Sequence, residues 1–140
     1  MRQLKVYLAA PFQQQKQMQL RAAELRAVGI QVTSRWLEEQ DKPMGEIPGH
    51  IRRINAIHDV EDVIAADMLV FHDDPTIQRA GRHVEFGIAV GIGTTRSFPI
   101  LVLGPPNNIF HYLAQVYHFD SWADLKANLI HISKLGTMTE

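Results

Sequence analysis

Chemistry-bearing residues are densest in Gly81-Arg82-His83-Val84-Glu85-Phe86-Gly87-Ile88-Ala89-Val90-Gly91. That segment lies just beyond the apolar run Ala65-Ala66-Asp67-Met68-Leu69-Val70-Phe71. The run reads as a buried strand and the glycine-framed segment as a helix. Glu85 is then expected near a helix start, at the edge where an α/β sheet opens its binding crevice. Small residues around it leave room for a ligand, which makes Glu85 the first candidate for chemistry. Two further groups are expected at the same edge. Tyr7, Ala9, Ala10, Pro11, Phe12 and Gln13 follow the first strand, and Asp59 and Asp62 sit on the helix before Met68. Asp73 and Asp74 follow the central strand. A tyrosine, an aspartate and a glutamate around one crevice form an acid–base and nucleophile set.

The elements that must position these groups alternate between strand and helix patterns. Strands are expected over residues 4–9, 30–36, 68–72, 98–103 and 116–119. Helices are expected over 14–28, 50–66, 81–92 and 121–132, with a short one at 109–113. Gly29 is a natural stop for the first helix and Ser121 an N-cap for the last. The helix at 50–66 carries Ile51, Ile54, Ile57, Val60 and Ile64 on one side. Residues 37–49, with Pro43, Gly45, Pro48 and Gly49, read as a mobile loop or lid. Such alternation argues for a single-domain α/β fold over residues 1–140, Rossmann-like or flavodoxin-like, with a parallel sheet and helices on both faces.

Composition narrows the function classes. The 140 residues are 46% apolar and 21% charged with a net charge of −1, so no basic field favours nucleic acid polymers or anionic membranes. There is no cysteine, which excludes disulfides and thiol catalysis. No signal-peptide pattern precedes Leu4 and no apolar run approaches ~18 residues, so a cytoplasmic, soluble domain is expected. None of the seven histidines forms the paired helical spacing of a zinc site. Dinucleotide, P-loop and Gly-x-Ser-x-Gly fingerprints are all missing. Neither a metal nor a cofactor is expected.

Val6-Tyr7-Leu8-Ala9-Ala10-Pro11-Phe12, then Asp59-Val60-Glu61 running to Ala66-Asp67, then Gly81 to Ala89 together resemble the nucleoside 2-deoxyribosyltransferase superfamily. That superfamily includes the 2′-deoxynucleoside 5′-monophosphate N-glycosidases. The resemblance covers residues 5 to about 122, and its best marker is Glu85-Phe86-Gly87-Ile88-Ala89. It implies cleavage of an N-glycosidic bond. Glu85 matches the nucleophile that attacks the anomeric carbon, Asp59 the acid that protonates the departing base, and Tyr7 the residue that orients the nucleophile. A carboxylate suits this work because it both stabilises and captures an oxocarbenium-like centre. Passing the deoxyribose to another base makes a transferase; passing it to water makes a hydrolase.

Ala9, Pro11, Gln13, Arg79, Gly81, Arg82, Asn108 and His111 are the expected substrate-binding positions. The chain departs from the family in two places. Gln13 occupies the first loop, where monophosphate-acting members carry a basic residue, and Arg79 stands where family transferases carry an aspartate. Arg79, Arg82 and His83 nevertheless suit recognition of a 5′-phosphate. A neighbouring subunit often completes the site in this family, and Asn108 and His111 lie where that contribution would come from. The implied partners are a nucleoside or nucleotide and further copies of the chain, as a homodimer or larger.

Plainer readings stand beside these. Glu85 fits an ordinary N-terminal helix glutamate, and Asp59, with Arg52, Asn55 and Asp62, fits a solvated helix face. Tyr7 fits a strand core, Arg79 and Arg82 surface cations, and Trp36 either base stacking or core packing. A non-catalytic nucleotide-binding or sensing module on the same fold is the alternative function.

Overall fold

The structure, a computed structural model, describes residues 2–39, 46–77 and 80–138. Five parallel strands, β1 (Lys5–Ala9), β2 (Gln31–Val32), β3 (Met68–His72), β4 (Ile100–Leu103) and β5 (Val116–Phe119), form one sheet in the order β2-β1-β3-β4-β5. Helices α1 (Gln15–Ala27), α2 (Gly49–Ala65), α3 (Gly81–Ile92) and α4 (Trp122–Met138) make the connections. β1 and β3 run as nearly continuous apolar segments because helices cover both faces of the sheet. Their register sets Tyr7 opposite Leu69 and Ala9 opposite Phe71. The chain is therefore the expected α/β domain with a flavodoxin-like sheet.

α1 and α4 share one face. The Arg21 guanidinium lies 4.9 Å over the Trp122 ring, and the Trp122 indole donates to Glu24 at 2.8 Å. α2 and α3 pack together on the other. Gly29, with φ of 86°, ends α1 in the left-handed turn that glycine adopts without strain. The Ser121 hydroxyl accepts from the Asp124 amide at 3.1 Å, so the expected cap of α4 is present. Asp67 joins the starts of β1 and β3 by accepting from the Lys5 amide at 2.9 Å.

One expectation is corrected. The strand expected over 30–36 is only two residues long, because side chains replace its ladder. Ser34 Oγ accepts from the Leu8 amide at 2.7 Å, and the Trp36 indole donates to the Leu8 carbonyl at 2.7 Å. Those bonds turn the chain into a 3-10 turn at Arg35–Glu38. Trp36 is accordingly a core residue, 5% exposed, with one edge at the binding cleft.

The apolar side of α2 does not face the core. Ile51, Ile54, Ile57, Val60 and Ile64 are all exposed, while Asp62 and Val63 are buried. Buried Asp62 accepts from the Arg35 amide at 2.9 Å and from its guanidinium at 2.9 Å, and that attachment fixes the rotation of α2. The expected lid falls partly on residues 40–45, outside the described residues.

Candidate active site

A cavity of about 300 Å³ opens at the carboxyl edge of the sheet, within the range of small-molecule sites. Each wall comes from a different element. Ala10, Pro11 and Phe12 line it from the loop after β1, where small residues let a ligand approach the backbone. Trp36 and Glu39 line it from the turn after β2, with Ile47 beyond. α2 contributes Arg52, Asn55, Ala56 and Asp59, whose spacing of three and four residues places them on one helical face. α3 contributes Gly81, Arg82 and Glu85.

Three carboxylates thus share one cavity. Burial first, and then the neighbouring Asp59 charge, push the Glu85 carboxyl up to about 8. Asp59 is pushed up to about 7, again first by burial, then by Glu39 and Asp62. Glu39 is raised by burial while His58 draws it the other way. The Tyr7 hydroxyl is fully buried beside Glu85, and burial together with that carboxylate raises its pKa strongly. One oxygen each of Tyr7, Asp59 and Glu85 is buried with no hydrogen-bond partner. Such a group of buried polar atoms is costly unless a ligand completes it.

The structure brings Glu85, Asp59, Pro11, Gly81 and Arg82 to the cavity, with Tyr7 adjacent to Glu85. Arg82 is 4% exposed and does more than face the cleft. It donates to the Asp74 carbonyl at 3.1 Å and the Ile77 carbonyl at 2.9 Å, and its Nε lies 3.8 Å from Asp73. It therefore ties the loop before α3 to the sheet and is not a plain surface cation.

Other expected positions lie away from the cavity wall. Ala9 is buried in β1 and Gln13 is exposed on the 3-10 turn at Phe12–Gln14. His111 is buried within its own chain against Phe71 and Phe86, at ring distances of 5.7 and 5.0 Å, and Asn108 Nδ2 lies 3.2 Å from its Nε2. Asn108 also accepts from the Phe110 amide, capping the short turn at Ile109–Tyr112. Arg79 lies outside the described residues.

Sequence reasoning missed Glu39 and gave Arg52 and Asn55 only to a solvated face. For the latter two a signal existed, since they repeat at helical spacing before Asp59. Glu39 carried none, because its place depends on the turn that cuts β2 short. Among the described residues no cluster of acidic, histidine or cysteine side chains is arranged to hold a metal, and no helix is long and apolar enough to cross a membrane.

No protein-family model matches the chain, and no curated protein matches it by sequence. Solved structures do. A 2-deoxyribosyltransferase from Bacillus psychrosaccharolyticus matches with a TM-score of 0.67 at 22% identity, over 87% of this chain and 90% of that one. A CMP N-glycosidase from Clostridium botulinum matches at 0.57 and 17% identity, over 89% and 97%. A conserved protein from Enterococcus faecalis V583 matches at 0.53 and 19% identity, over 94% and 89%. The resemblance in sequence motifs is thus accompanied by a shared fold.

The raised Glu85 carboxyl has a consequence for stability. Its folded pKa exceeds its unfolded value, so the folded state holds the proton longer, and stability falls as pH rises from the unfolded pKa through about 8. Glu85→Gln removes that penalty. The variant is expected to melt at the wild-type temperature near about pH 5 and above it near about pH 8.5. Thermal denaturation at both pH values checks this; a variant less stable at the higher pH would contradict the buried, charge-opposed placement of Glu85.

Proposed function

We propose that this protein cleaves the N-glycosidic bond of a 2′-deoxynucleoside or its 5′-monophosphate through a covalent glycosyl-Glu85 intermediate. The observation that carries the reading is the pair of raised, ligand-facing carboxylates, Glu85 and Asp59, in one cavity. With their proton affinities elevated together, the pair suits holding one proton between them near neutral pH, leaving one acid and one base. Once that proton passes from Glu85, whose carboxyl is the more strongly raised, to Asp59, ionised Glu85 attacks the anomeric carbon as the bond to the base breaks, and Asp59 gives its proton to the departing nitrogen. Asp59 then takes a proton from the incoming water or acceptor base. That acceptor attacks the same carbon, and the Glu85 carboxylate is released. The Tyr7 hydroxyl orients Glu85 by facing its carboxylate. The deoxyribosyltransferase and the CMP N-glycosidase that share the fold support bond cleavage of this kind.

A 5′-phosphate would sit against the first turn of α3, near Gly81 and Arg82, with Arg52 as a further cation. The exposed isoleucine side of α2, together with exposed Val84 on α3, supports a homodimer or larger assembly formed on that surface.

Deoxynucleosides and their 5′-monophosphates, supplied with and without free adenine, test the reaction by chromatography. Released base without acceptor identifies a hydrolase, and new nucleosides only with adenine a transferase. Glu85→Ala is expected to lose at least about 10³-fold in turnover and Asp59→Asn about 10²- to 10⁴-fold, both with nucleotide binding retained. Binding without turnover across the panel would leave a sensing module in its place. Light scattering after size exclusion is expected to give a dimer or larger, and Ile57→Glu to shift it toward monomer; a wild-type monomer at high concentration would contradict the proposed surface.

A further inference from the structure

Arg82 and Glu85 stand three positions apart on α3, and both line the cavity. Side chains at that spacing are neighbours on a helix surface, and an arginine beside a buried carboxylate ordinarily pairs with it. Among the described residues no ion pair joins the two. One Glu85 oxygen is buried with no hydrogen-bond partner, and the charges acting on its carboxyl are those of Asp59 and Glu39. Arg82 is drawn the other way. Its Nη2 donates to the Asp74 carbonyl at 3.1 Å and to the Ile77 carbonyl at 2.9 Å, and its Nε lies 3.8 Å from Asp73 Oδ1. Its charge acts on Asp74, His72 and His83.

Asp73 is placed to keep it there. The side chains of Asp73 and Arg82 are each 2% exposed, so their attraction is little screened by solvent. Asp73 follows β3, and its amide donates to the Leu103 carbonyl of β4 at 3.4 Å. Asn107, in the loop after β4, donates through Nδ2 to Asp73 Oδ2. One carboxylate oxygen is thus committed to Asn107. The other, Oδ1, accepts no hydrogen bond and faces the guanidinium. The carbonyls of Asp74 and Ile77 restrain that guanidinium without carrying charge, whereas Asp73 supplies the counter-charge that offsets its burial.

We infer that Asp73 is a positioning residue that holds the Arg82 guanidinium away from Glu85. This deepens the glycosidic reading and rests on it for its catalytic consequence. A guanidinium against Glu85 would occupy an oxygen that must reach the anomeric carbon. Its charge would also oppose the positive charge developing on the sugar. The same contact would counter the burial that raises the Glu85 carboxyl and return it toward the ordinary range. Asp59 and Arg52 from α2, Tyr7 from β1 and Glu39 from the turn after β2 face the cleft around Glu85 in either case. What changes is the place of Arg82.

Paired melting curves test this without any substrate. In the wild-type chain, Glu85→Gln is expected to raise Tm by at least about 4 °C at about pH 8.5, because it removes a carboxyl whose folded pKa is raised. In an Asp73→Asn chain Arg82 turns to Glu85, whose folded pKa falls, and the gain from Glu85→Gln is expected to shrink by at least about half. A general weakening by Asp73→Asn lowers both members of the pair alike, so the gain reports where Arg82 points. Arg82→Gln, which removes the buried cation together with its need for a counter-charge, is the check that survives if Asp73→Asn does not fold. There Glu85→Gln is expected to keep its wild-type gain; a larger one shows that Arg82 already acts on Glu85 and overturns the inference. With a cleaved deoxynucleotide, Asp73→Asn is expected to lower kcat at least about tenfold, with KM within about threefold, and to move the acid limb of the pH profile downward. An unchanged melting gain, or an unchanged kcat and acid limb, overturns the inference and leaves bond cleavage intact. If the wild type cleaves none, the glycosidic reading fails, and the melting curves alone decide where Asp73 holds Arg82.

Discussion

Asp62 accepts hydrogen bonds from the amide and the guanidinium of Arg35, and its own carbonyl accepts from Thr33 Oγ at 2.8 Å. Because these groups belong to the short turn after β2, they lock α2 to the sheet edge at a single rotation. Asp59, Asn55 and Arg52 lie on the same helical face and are carried over the cavity with it. The same rotation leaves the isoleucines outside. Other features follow from that one attachment: where the acid stands relative to Glu85, and why an apolar surface is exposed. Helices normally turn their apolar stripe to the core. Here a buried charged contact overrides the pattern, and Val63 with Ala66 supplies the core contact instead.

The inward face of α2 is costly for folding and useful for chemistry. Carboxylates prefer water, and placing Glu85 where its pKa rises to about 8 opposes its ionisation by an amount on the order of a few kcal/mol. Among the described residues no ion pair joins a cation to Glu85 itself. The cations near the cleft are committed or peripheral: Arg35 is bound to Asp62, and Arg82 holds the loop before α3. A pair of buried carboxylates suits a reaction in which positive charge develops on the ligand, as it does at an oxocarbenium-like centre.

Much of this was legible in the sequence, for definable reasons. β3 and α3 were clear because their apolar patterns are long and their borders carry glycine or polar loops, and Glu85 could be placed from them. Gly29 and Ser121 marked helix ends because their chemistry is local. Failures came where tertiary contacts decided the outcome. The alternation at 30–36 promised a full strand, but Ser34 and Trp36 spend their hydrogen bonds on Leu8 across the sheet edge. The isoleucine stripe marked one side of a helix, and only the bond from Asp62 to a residue 27 positions away reveals that this side is exposed. Glu39 stayed hidden for the same reason, since its place depends on where that turn ends.

Cleavage by this route requires a covalent bond to Glu85. Trypsin would release residues 83–96 as one peptide, in which Glu85 is the sole acidic side chain. The most direct measurement is mass spectrometry of that peptide after mixing the protein with a 2′-deoxynucleotide bearing a 2′-fluorine, which slows loss of the intermediate. A glycosyl adduct on residues 83–96, absent from Glu85→Ala, is the result predicted. Base release with no adduct on this peptide, or with one on another carboxylate, would contradict it.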